Sequence, residues 1–388
     1  MPPLSARVVT DIGNVDPTDW DGLEHDGDPF VSHGFLQALE SSGSVCPESG
    51  WQPHHLALYE GGRLVAFAPT YLKAHSHGEF VFDWAWADAY QRYGHAYYPK
   101  LLTAVPYSPV PGPRLLVAAG HPDPAALRAA LVSKAIETCE ELNLSSWHCN
   151  FFSETDRTAL RRDPLLARHD WQFHWFNAGY RSFDEFLASL RSKKRKNMRR
   201  DRRLVADAGI RLERRAGGEL SEAERDFVYA CYQQTFLEHG NHPALTADFF
   251  NRLSTTMPEA VMVALALREG RPIAMSWFLQ GGGTLYGRYW GCIEQHAGLH
   301  FETAYHQGIE HCIERGLKVF QPGAQGEHKM SRGFVATQTR SAHLVRDPVF
   351  RRAIAAHLER EDDWLDQYRE ELEAHQPFRR DGTDRDRP

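Results

Sequence analysis

The chain has 388 residues, enough for two or three domains at roughly 100 to 200 residues each. Hydrophobic residues make up 42 %, aromatic residues 12 % and charged residues 24 % of the sequence, a composition that excludes a disordered chain. The formal charge of −7 excludes a generally basic nucleic-acid coat, so any nucleic-acid contact has to come from a local basic patch.

Cysteine usage and hydropathy indicate the compartment. The six cysteines form no C-x-x-C pair, which argues against a zinc ribbon or a thioredoxin-type motif and indicates thiols in a reducing cytosol. The first residues lack the apolar core of a signal peptide, and no stretch approaches the roughly 18 to 20 apolar residues of a membrane span. We therefore expect a cytoplasmic protein whose contact with membranes, if any, is peripheral.

Two stretches of the chain resemble each other, and each predicts a β-hairpin. Residues 56–66 and 265–274 both read as a strand, a tight turn that contains glycine, and a second strand. Glycine favours this reading because it tolerates the positive φ that short hairpin loops require. A third strand rich in aromatic residues is expected after each hairpin, at residues 79–86 and at residues 284–290.

The hydrophobic period then changes to that of a helix in both halves. In the first half the pattern predicts a helix at residues 124–142, with Pro124 near its start, and a strand at residues 145–152. In the second half it predicts a helix at residues 299–316, where Gly316 suits the end, and a strand at residues 317–321. Each half therefore reads β-β-β-α-β.

Three further stretches carry a resemblance to a known family. They are the aromatic and proline-rich residues 82–110, the basic residues 192–200 and the glycine-rich residues 322–334. With the repeated β-β-β-α-β order, they make the chain resemble the FemAB-like proteins, which have two tandem domains of the Gcn5-related N-acetyltransferase (GNAT) type. The resemblance covers residues 30–347 and implies aminoacyl transfer in peptidoglycan biosynthesis, or peptidoglycan recognition.

We expect an α/β protein with mixed, mostly antiparallel sheets flanked by helices. The expected parts are an N-terminal GNAT-like domain at residues 1–180, a basic linking helix at 181–208, a C-terminal GNAT-like domain at 209–347, an acidic helix at 348–375 and a disordered tail at 376–388.

The candidate catalytic residues lie in the glycine-rich loop that follows the last predicted strand. Acyl transfer to an amine needs a base for the incoming ammonium and a positive group for the oxyanion. His328 or Glu327 is the candidate base, and Lys329 and Arg332 are candidate contacts for an oxyanion, phosphate or carboxylate. The alternative is a polar loop whose charges pair with one another.

The two aromatic strands supply candidate substrate-binding residues. These are Trp84, Trp86 and Asp88 in the first half and Tyr286 and Arg288 in the second. Asp88 and Arg288 are charges in otherwise apolar segments, and such charges are paired or face a cleft. Packing in the core is the favoured explanation for most of the aromatic rings. A cleft built from both strands, with the two charges facing it, would suit a substrate that carries amide and carboxylate groups.

The basic run predicts an anion-binding surface. Residues 191–203 contain nine Lys or Arg and one acid, in a helix expected to begin near Ser182, where Glu185 completes a capping-box pattern. The helix can pair with the acidic C-terminal helix, bind tRNA, or approach an anionic membrane or a phosphorylated lipid-linked precursor. The candidate nucleic-acid or anion contacts are Lys193, Lys194, Arg195, Lys196, Arg199 and Arg200.

The sequence motifs typical of cofactor and metal sites match this chain only poorly. The Q/R-x-x-G-x-G/A turn that holds the pyrophosphate of acetyl-CoA is matched imperfectly at residues 295–300, and the match at residues 91–96 lies far from the predicted helix. The histidine pairs 75/77 and 296/300 lack a third ligand at standard spacing, so no metal is expected.

We therefore expect an N-acyltransferase that moves an aminoacyl group from aminoacyl-tRNA to an amine, without a cofactor. An acetyl-CoA-dependent or other acyl-CoA-dependent N-acetyltransferase and a non-catalytic module that recognises cell-wall peptides remain the alternatives.

Overall fold

The structure is a computed structural model, and it describes residues 3–324, 326–374 and 376–379. The chain divides into two compact units, each assembled from three segments. Unit 1 comprises Met1–Asp170, Ala244–Leu253 and Gln338–Asp366, and unit 2 comprises Trp171–Pro243, Ser254–Thr337 and Gln367–Pro388. The domain boundaries expected from the sequence were drawn on continuous stretches, and they remain predictions.

The strands are numbered in chain order. They are β1 (Leu4–Val9), β2 (Leu23–Glu24), β3 (Trp51–Pro53), β4 (His55–Glu60), β5 (Arg63–Ala68), β6 (Thr70–Lys73), β7 (Lys100–Thr103), β8 (Leu116–Ala118), β9 (Ser146–Asn150), β10 (Leu166–Phe176), β11 (Ile210–Ala216), β12 (Val261–Arg268), β13 (Arg271–Gly281), β14 (Thr284–Cys292), β15 (Val319–Gln321) and β16 (Val335–Val345).

The α-helices follow the same order. They are α1 (Pro17–Asp21), α2 (His33–Ser41), α3 (Trp84–Arg92), α4 (Pro124–Glu141), α5 (Arg157–Leu160), α6 (Phe183–Ser189), α7 (Ser192–Asp207), α8 (Glu222–Glu238), α9 (Ala247–Thr256), α10 (Leu299–Phe301), α11 (Gln307–Arg315) and α12 (Pro348–Ala374). No helix in the described part of the chain has the length and apolar character needed to span a membrane.

Unit 1 contains mixed sheets around an apolar core. One sheet has the order β1-β4-β5-β8-β2, and β4 pairs with β5 as the antiparallel hairpin expected from the sequence. A second set of strands pairs in the order β16-β9-β7-β6-β3, in which β7 and β9 are parallel. Helix α4 packs Leu131, Val132 and Ala135 into the core, together with Trp147 of β9.

Unit 2 follows the predicted β-β-β-α-β order closely. Its strands pair in the order β11-β12-β13-β14-β15-β10, with β12, β13 and β14 as an antiparallel meander and β15 parallel to β14. The helical stretch between β14 and β15 consists of α10, a π-helical turn at Glu302–His306 and α11. Gly316 ends α11 at a φ of 67°, as the sequence predicts.

The prediction of a strand at residues 79–86 is wrong, because residues 84–92 form helix α3. Trp86 and Tyr90 are four positions apart and both are buried on one face of that helix, beside Val345 and Phe350. The alternating Trp-Ala-Trp-Ala sequence favours a strand by its period, but alanine also has the highest helix propensity. The helix forms because it places both Trp86 and Tyr90, at helical spacing, in the core.

The prediction of one continuous basic helix is also wrong. Leu190 and Arg191 have extended backbones and separate α6 from α7. Leu190 is fully buried and pairs with Phe378 in a β-bridge. Burial of Leu190 therefore competes with continuation of the helix. The tail expected to be disordered from residue 376 is ordered at its beginning, since Pro377 and Phe378 are buried, and residues 380–388 lie outside the described residues.

Candidate active site

The loop that carries the candidate catalytic residues is a 3₁₀ turn at Glu327–Arg332, a few residues after β15. Glycine is required at both ends. Gly326 has a φ of 110°, and a Cβ there would lie 2.5 Å from the His328 ring. Gly333 has a φ of 93°, and a Cβ there would lie 2.6 Å from the ring of Phe186. The turn is therefore held in one backbone shape.

His328 is exposed on the turn. Its Nε2 atom lies 3.0 Å from the Oη atom of Tyr305, which is buried in the π-helical turn. Partial burial and the positive charges of Lys329 and Arg332 lower the pKa of His328. A lowered pKa keeps the imidazole neutral at neutral pH, which is the form that accepts a proton.

Lys329 is buried, with 2 % of its surface exposed. Its Nζ atom donates hydrogen bonds to the carbonyl oxygens of Gly323, at 2.8 Å, and Ala324, at 3.1 Å. Burial lowers the pKa of Lys329 to about 7. A lysine with this pKa exchanges a proton near neutral pH, and its ammonium form can stabilise an oxyanion.

Arg332 fixes the turn to helix α7. Its Nη2 atom donates to Oδ2 of Asp201 at 2.8 Å, and its guanidinium carbon lies 3.2 Å from the centre of the Phe301 ring. Its Nη1 atom donates to the hydroxyl of Ser331 at 2.9 Å. These contacts indicate a positioning role for Arg332, and its expected contact with an oxyanion or another anion stays a prediction.

A cavity of about 440 Å³ adjoins the turn. His328, Met330 and Ser331 line it from the turn, and Lys194 lines it from the basic helix α7. The remaining wall is supplied by Tyr368, Glu371 and Leu372 of α12. The exposed imidazole and a cation of the basic run therefore face one space, which is within the usual volume range of ligand sites.

A second polar cluster joins the helical stretch after β14 to α7, and sequence reasoning missed it. Glu302 accepts a hydrogen bond from Nε2 of Gln307 at 2.8 Å, and one of its oxygens lies 2.8 Å from Nδ1 of His306. Arg202 of α7 forms ion pairs with Glu302 and Glu310. The signal in the sequence was the pair of polar residues at 302 and 306, four positions apart on one face of the predicted helix.

The other predicted residues of unit 2 lie in three environments. Tyr286 is buried on β14, and the half-buried Arg288 lies over the ring of Tyr289 at 5.4 Å. Lys193, Lys196, Arg199 and Arg200 are exposed on α7, whereas Lys194 and Arg195 are half-buried. The side chain of Glu327 lies outside the described residues, so its expected role as a base stays a prediction.

The candidates of unit 1 belong to helix α3 and not to the strand on which they were expected, and their expected role in substrate binding stays a prediction. Trp86 is buried against His343, Trp84 lies beside His77, and Asp88 is exposed. Two cations of the basic helix form ion pairs, Arg199 with Asp184 and Arg202 with Glu302 and Glu310, and Asp201 of the same helix pairs with Arg332.

The imperfect pyrophosphate turn at residues 295–300 leads into α10. Gly298 has a φ of 85° and precedes α10, and a Cβ at this position would lie 2.7 Å from the carbonyl oxygen of Asp201. Glycine therefore allows α7 to pack closely here, and the expectation that no coenzyme A is used stays a prediction. Among the described residues, no group of three metal-ligating side chains lies together.

The meander, the crossing helix and the parallel strand of unit 2, together with the repeat along the chain, define a tandem GNAT-like acyltransferase fold. The chain belongs to the FemAB-like family, described as acting in peptidoglycan biosynthesis or recognition, whose family model matches residues 11–380. No curated protein matches the chain by sequence.

Two solved structures share the fold. FemX superposes with a TM-score of 0.53 at 11 % identity, over 87 % of this chain and 96 % of that chain. L-PGS from Bacillus licheniformis superposes with a TM-score of 0.51 at 9 % identity, over 85 % of this chain and 96 % of that chain. At these identities the similarity establishes the common fold and leaves the substrates open.

Proposed function

We propose that this protein is an aminoacyltransferase that moves an amino acid from aminoacyl-tRNA to an amine of a peptidoglycan-type acceptor. The observation that carries the proposal is the shared cavity, in which the exposed imidazole of His328 and the cation of Lys194 on the basic helix face one space. A donor whose acyl group is attached to a polyphosphate backbone needs both features, because its backbone requires cations and its ester requires a base.

The reaction needs one bond to form and one to break. The acceptor amine loses a proton to the base and attacks the ester carbonyl carbon, so that a C–N bond forms. The C–O bond to the ribose then breaks, and the leaving oxygen takes up a proton. His328 or the neutral amine of Lys329 accepts the first proton, and protonated Lys329 stabilises the oxyanion of the tetrahedral intermediate.

The basic surface of α7 supplies the contacts with the donor backbone. Lys193, Lys196, Arg199 and Arg200 are exposed on this helix. Each phosphate contact makes the logarithm of the binding constant fall with the logarithm of the salt concentration, by about one unit of slope.

The test is binding of a mixture of charged tRNAs across a salt series. In one variant Lys193, Lys196, Arg199 and Arg200 are replaced by Ser, and in a matched control Arg211, Arg271, Arg315 and Lys318, four exposed cations elsewhere in unit 2, are replaced in the same way. We expect the first variant to lose about two to four units of salt slope and the control to keep the slope of the natural protein.

Transfer is measured with the same tRNA mixture and a synthetic peptide that carries a free primary amine. Saturable binding of acyl-CoA with no binding of tRNA at low salt would refute the proposed donor. Binding of peptide without any transfer would favour the recognition module instead.

A further inference from the structure

Unit 2 contains a second cavity, of about 470 Å³, that the proposed function does not yet use. Most of its wall is apolar or aromatic. The lining residues are Trp171, Phe176, Asn177, Ala178, Tyr180, Met330, Gly333, Phe334, Val335, Ala336, Arg369, Leu372, Gln376, Pro377 and Phe378.

Two of the polar side chains in this wall, Asn177 and Tyr180, already have hydrogen-bond partners in the protein. The Asn177 amide donates to the carbonyl oxygen of Leu317 at 3.1 Å and accepts from the backbone N–H groups of Gly179 and Tyr180. The Tyr180 hydroxyl donates to Ser189 at 3.1 Å. Arg369 and Gln376 are exposed residues. The space consequently favours an apolar group, because a polar group inside it would lose its hydrogen bonds with water.

The apolar cavity adjoins the candidate active site. Met330 and Leu372 line both this apolar cavity and the smaller one, which His328 and Lys194 also line. Gly333 and Phe334 line the apolar cavity and directly follow the turn at Glu327–Arg332 in the chain. A group whose carbonyl carbon lies beside His328 therefore has an apolar space close by, on the other side of Met330 and Leu372.

We infer that the apolar cavity receives the side chain of the transferred amino acid, and that the protein selects donors with a large apolar side chain such as phenylalanine or leucine. The inference rests on the proposed function and names its donor class. A small side chain such as that of alanine or serine would leave most of this space without contacts, which forfeits the burial that binds a larger one. Binding by an apolar pocket discriminates best against side chains that fill it less.

The test uses the whole protein and aminoacyl adenosines in which an amide joins the amino acid to the 3′ position. These compounds mimic the donor end without the tRNA body. Affinities for the phenylalanyl, leucyl, alanyl and seryl forms are compared by calorimetry. We expect the phenylalanyl and leucyl forms to bind at least tenfold more tightly than the alanyl and seryl forms. Transfer from the four corresponding charged tRNAs should follow the same order.

Two substitutions fill the cavity without touching His328 or Lys329. Ala336→Trp and Val335→Phe should each remove the preference for large side chains, by at least a fivefold loss of phenylalanyl affinity relative to alanyl affinity. Ala223→Trp, at an exposed position of α8, is the control and should keep the preference. The second filling variant keeps the test valid if the first one fails to fold.

The outcomes separate the two proposals. If alanyl and seryl forms bind and react as well as the large ones, the transferase function stands and the inferred specificity is wrong. If the filling variants keep the preference, the cavity is not the side-chain pocket. If none of the four charged tRNAs donates and none of the adenosines binds, both proposals fail together.

Discussion

Lys329 is notable at the scale of a single residue, because a lysine side chain is buried in the turn. Two backbone carbonyl oxygens accept its hydrogen bonds, and burial lowers its pKa to about 7. Perturbed pKa values of this kind concentrate at functional sites. The amine is consequently able to change its protonation state at the pH at which acyl transfer to an amine has to operate.

The first prediction concerns the pH dependence of transfer. If Lys329 acts as the base, kcat/KM should rise with pH through about 7, because only the neutral amine accepts a proton. Lys329→Arg keeps the charge but cannot deprotonate, so transfer should fall at least a hundredfold and the rise near pH 7 should disappear.

The measurement is the pH profile of kcat/KM for both proteins, with Lys329→Met as a second comparison. Lys329→Met should fold at least as stably as the natural protein at pH 6, because it removes a cation that is buried at a cost. If Lys329→Arg keeps full activity with an unchanged profile, the base is another residue and His328 becomes the candidate.

The sequence was informative about these residues up to a point. Lys329 and His328 lie together in a glycine-bracketed turn after a strand, and that much was predicted from the spacing of glycine and charge. The contacts of Arg332 with Asp201 and Phe301 join residues more than 30 positions apart. Local sequence contains no signal for such a pairing, and neither does it contain one for the burial that lowers the pKa of Lys329.

At the scale of elements, local chemistry predicted the hairpins, α4 and the end of α11, since turn glycines and hydrophobic period determine them. It failed at α3 and at the break between α6 and α7. In both places long-range burial decides the backbone: Trp86 and Tyr90 pack beside Phe350, and Leu190 pairs with Phe378. These partners lie more than 150 residues away in the chain, so a local sequence pattern contains no information about them.

The second prediction concerns the backbone of the turn at Glu327–Arg332 that carries the candidate catalytic residues. Gly333→Ala should destabilise the protein by about 2 to 4 kcal/mol, because it adds an unfavourable φ and a clash with the buried ring of Phe186. Gly270→Ala is the matched control, since its φ of 76° is also positive but no atom lies within 4 Å of the added Cβ. It should cost only about 1 kcal/mol.

Urea unfolding of both variants gives the two values, and their difference isolates the clash. Transfer should also fall in Gly333→Ala under conditions in which it is folded, because the turn has to shift to make room. Equal losses of stability in the two variants would show that the region around Phe186 adapts and that the turn is not held rigidly.

At the scale of the whole molecule, burial of neutral histidine is the main electrostatic feature. Burial lowers the pKa of His148 and His174 to about 3 and that of His300 and His311 to about 4, and it holds the pKa of His343 well below its usual value. Both units contain such residues. Burial also raises the pKa of three carboxyl groups, to about 6 for Asp28 and Asp156 and to about 7 for Glu79.

The two sets of groups act on stability with opposite sign. Between pH 4.5 and 6.5 the histidines are neutral in the folded chain and largely protonated in the unfolded chain, so stability rises with pH. In most of that window the three carboxyl groups are protonated when folded and ionised when unfolded, so they make stability fall with pH. Five histidines against three carboxyl groups leave a net uptake of about two protons on unfolding.

The third prediction follows from this balance. The free energy of unfolding should decrease as the pH is lowered from 6.5 to 4.5, with a slope that corresponds to about two protons per molecule. His174→Phe, which keeps a ring of similar size in a fully buried position, should reduce that slope by about one proton, because the unfolded variant has one site fewer to protonate. Urea unfolding at half-unit steps of pH measures both slopes. A slope that is unchanged by His174→Phe would mean that this imidazole is protonated inside the folded protein, and a stability that rises toward acid pH would mean that the buried carboxyl groups outweigh the histidines.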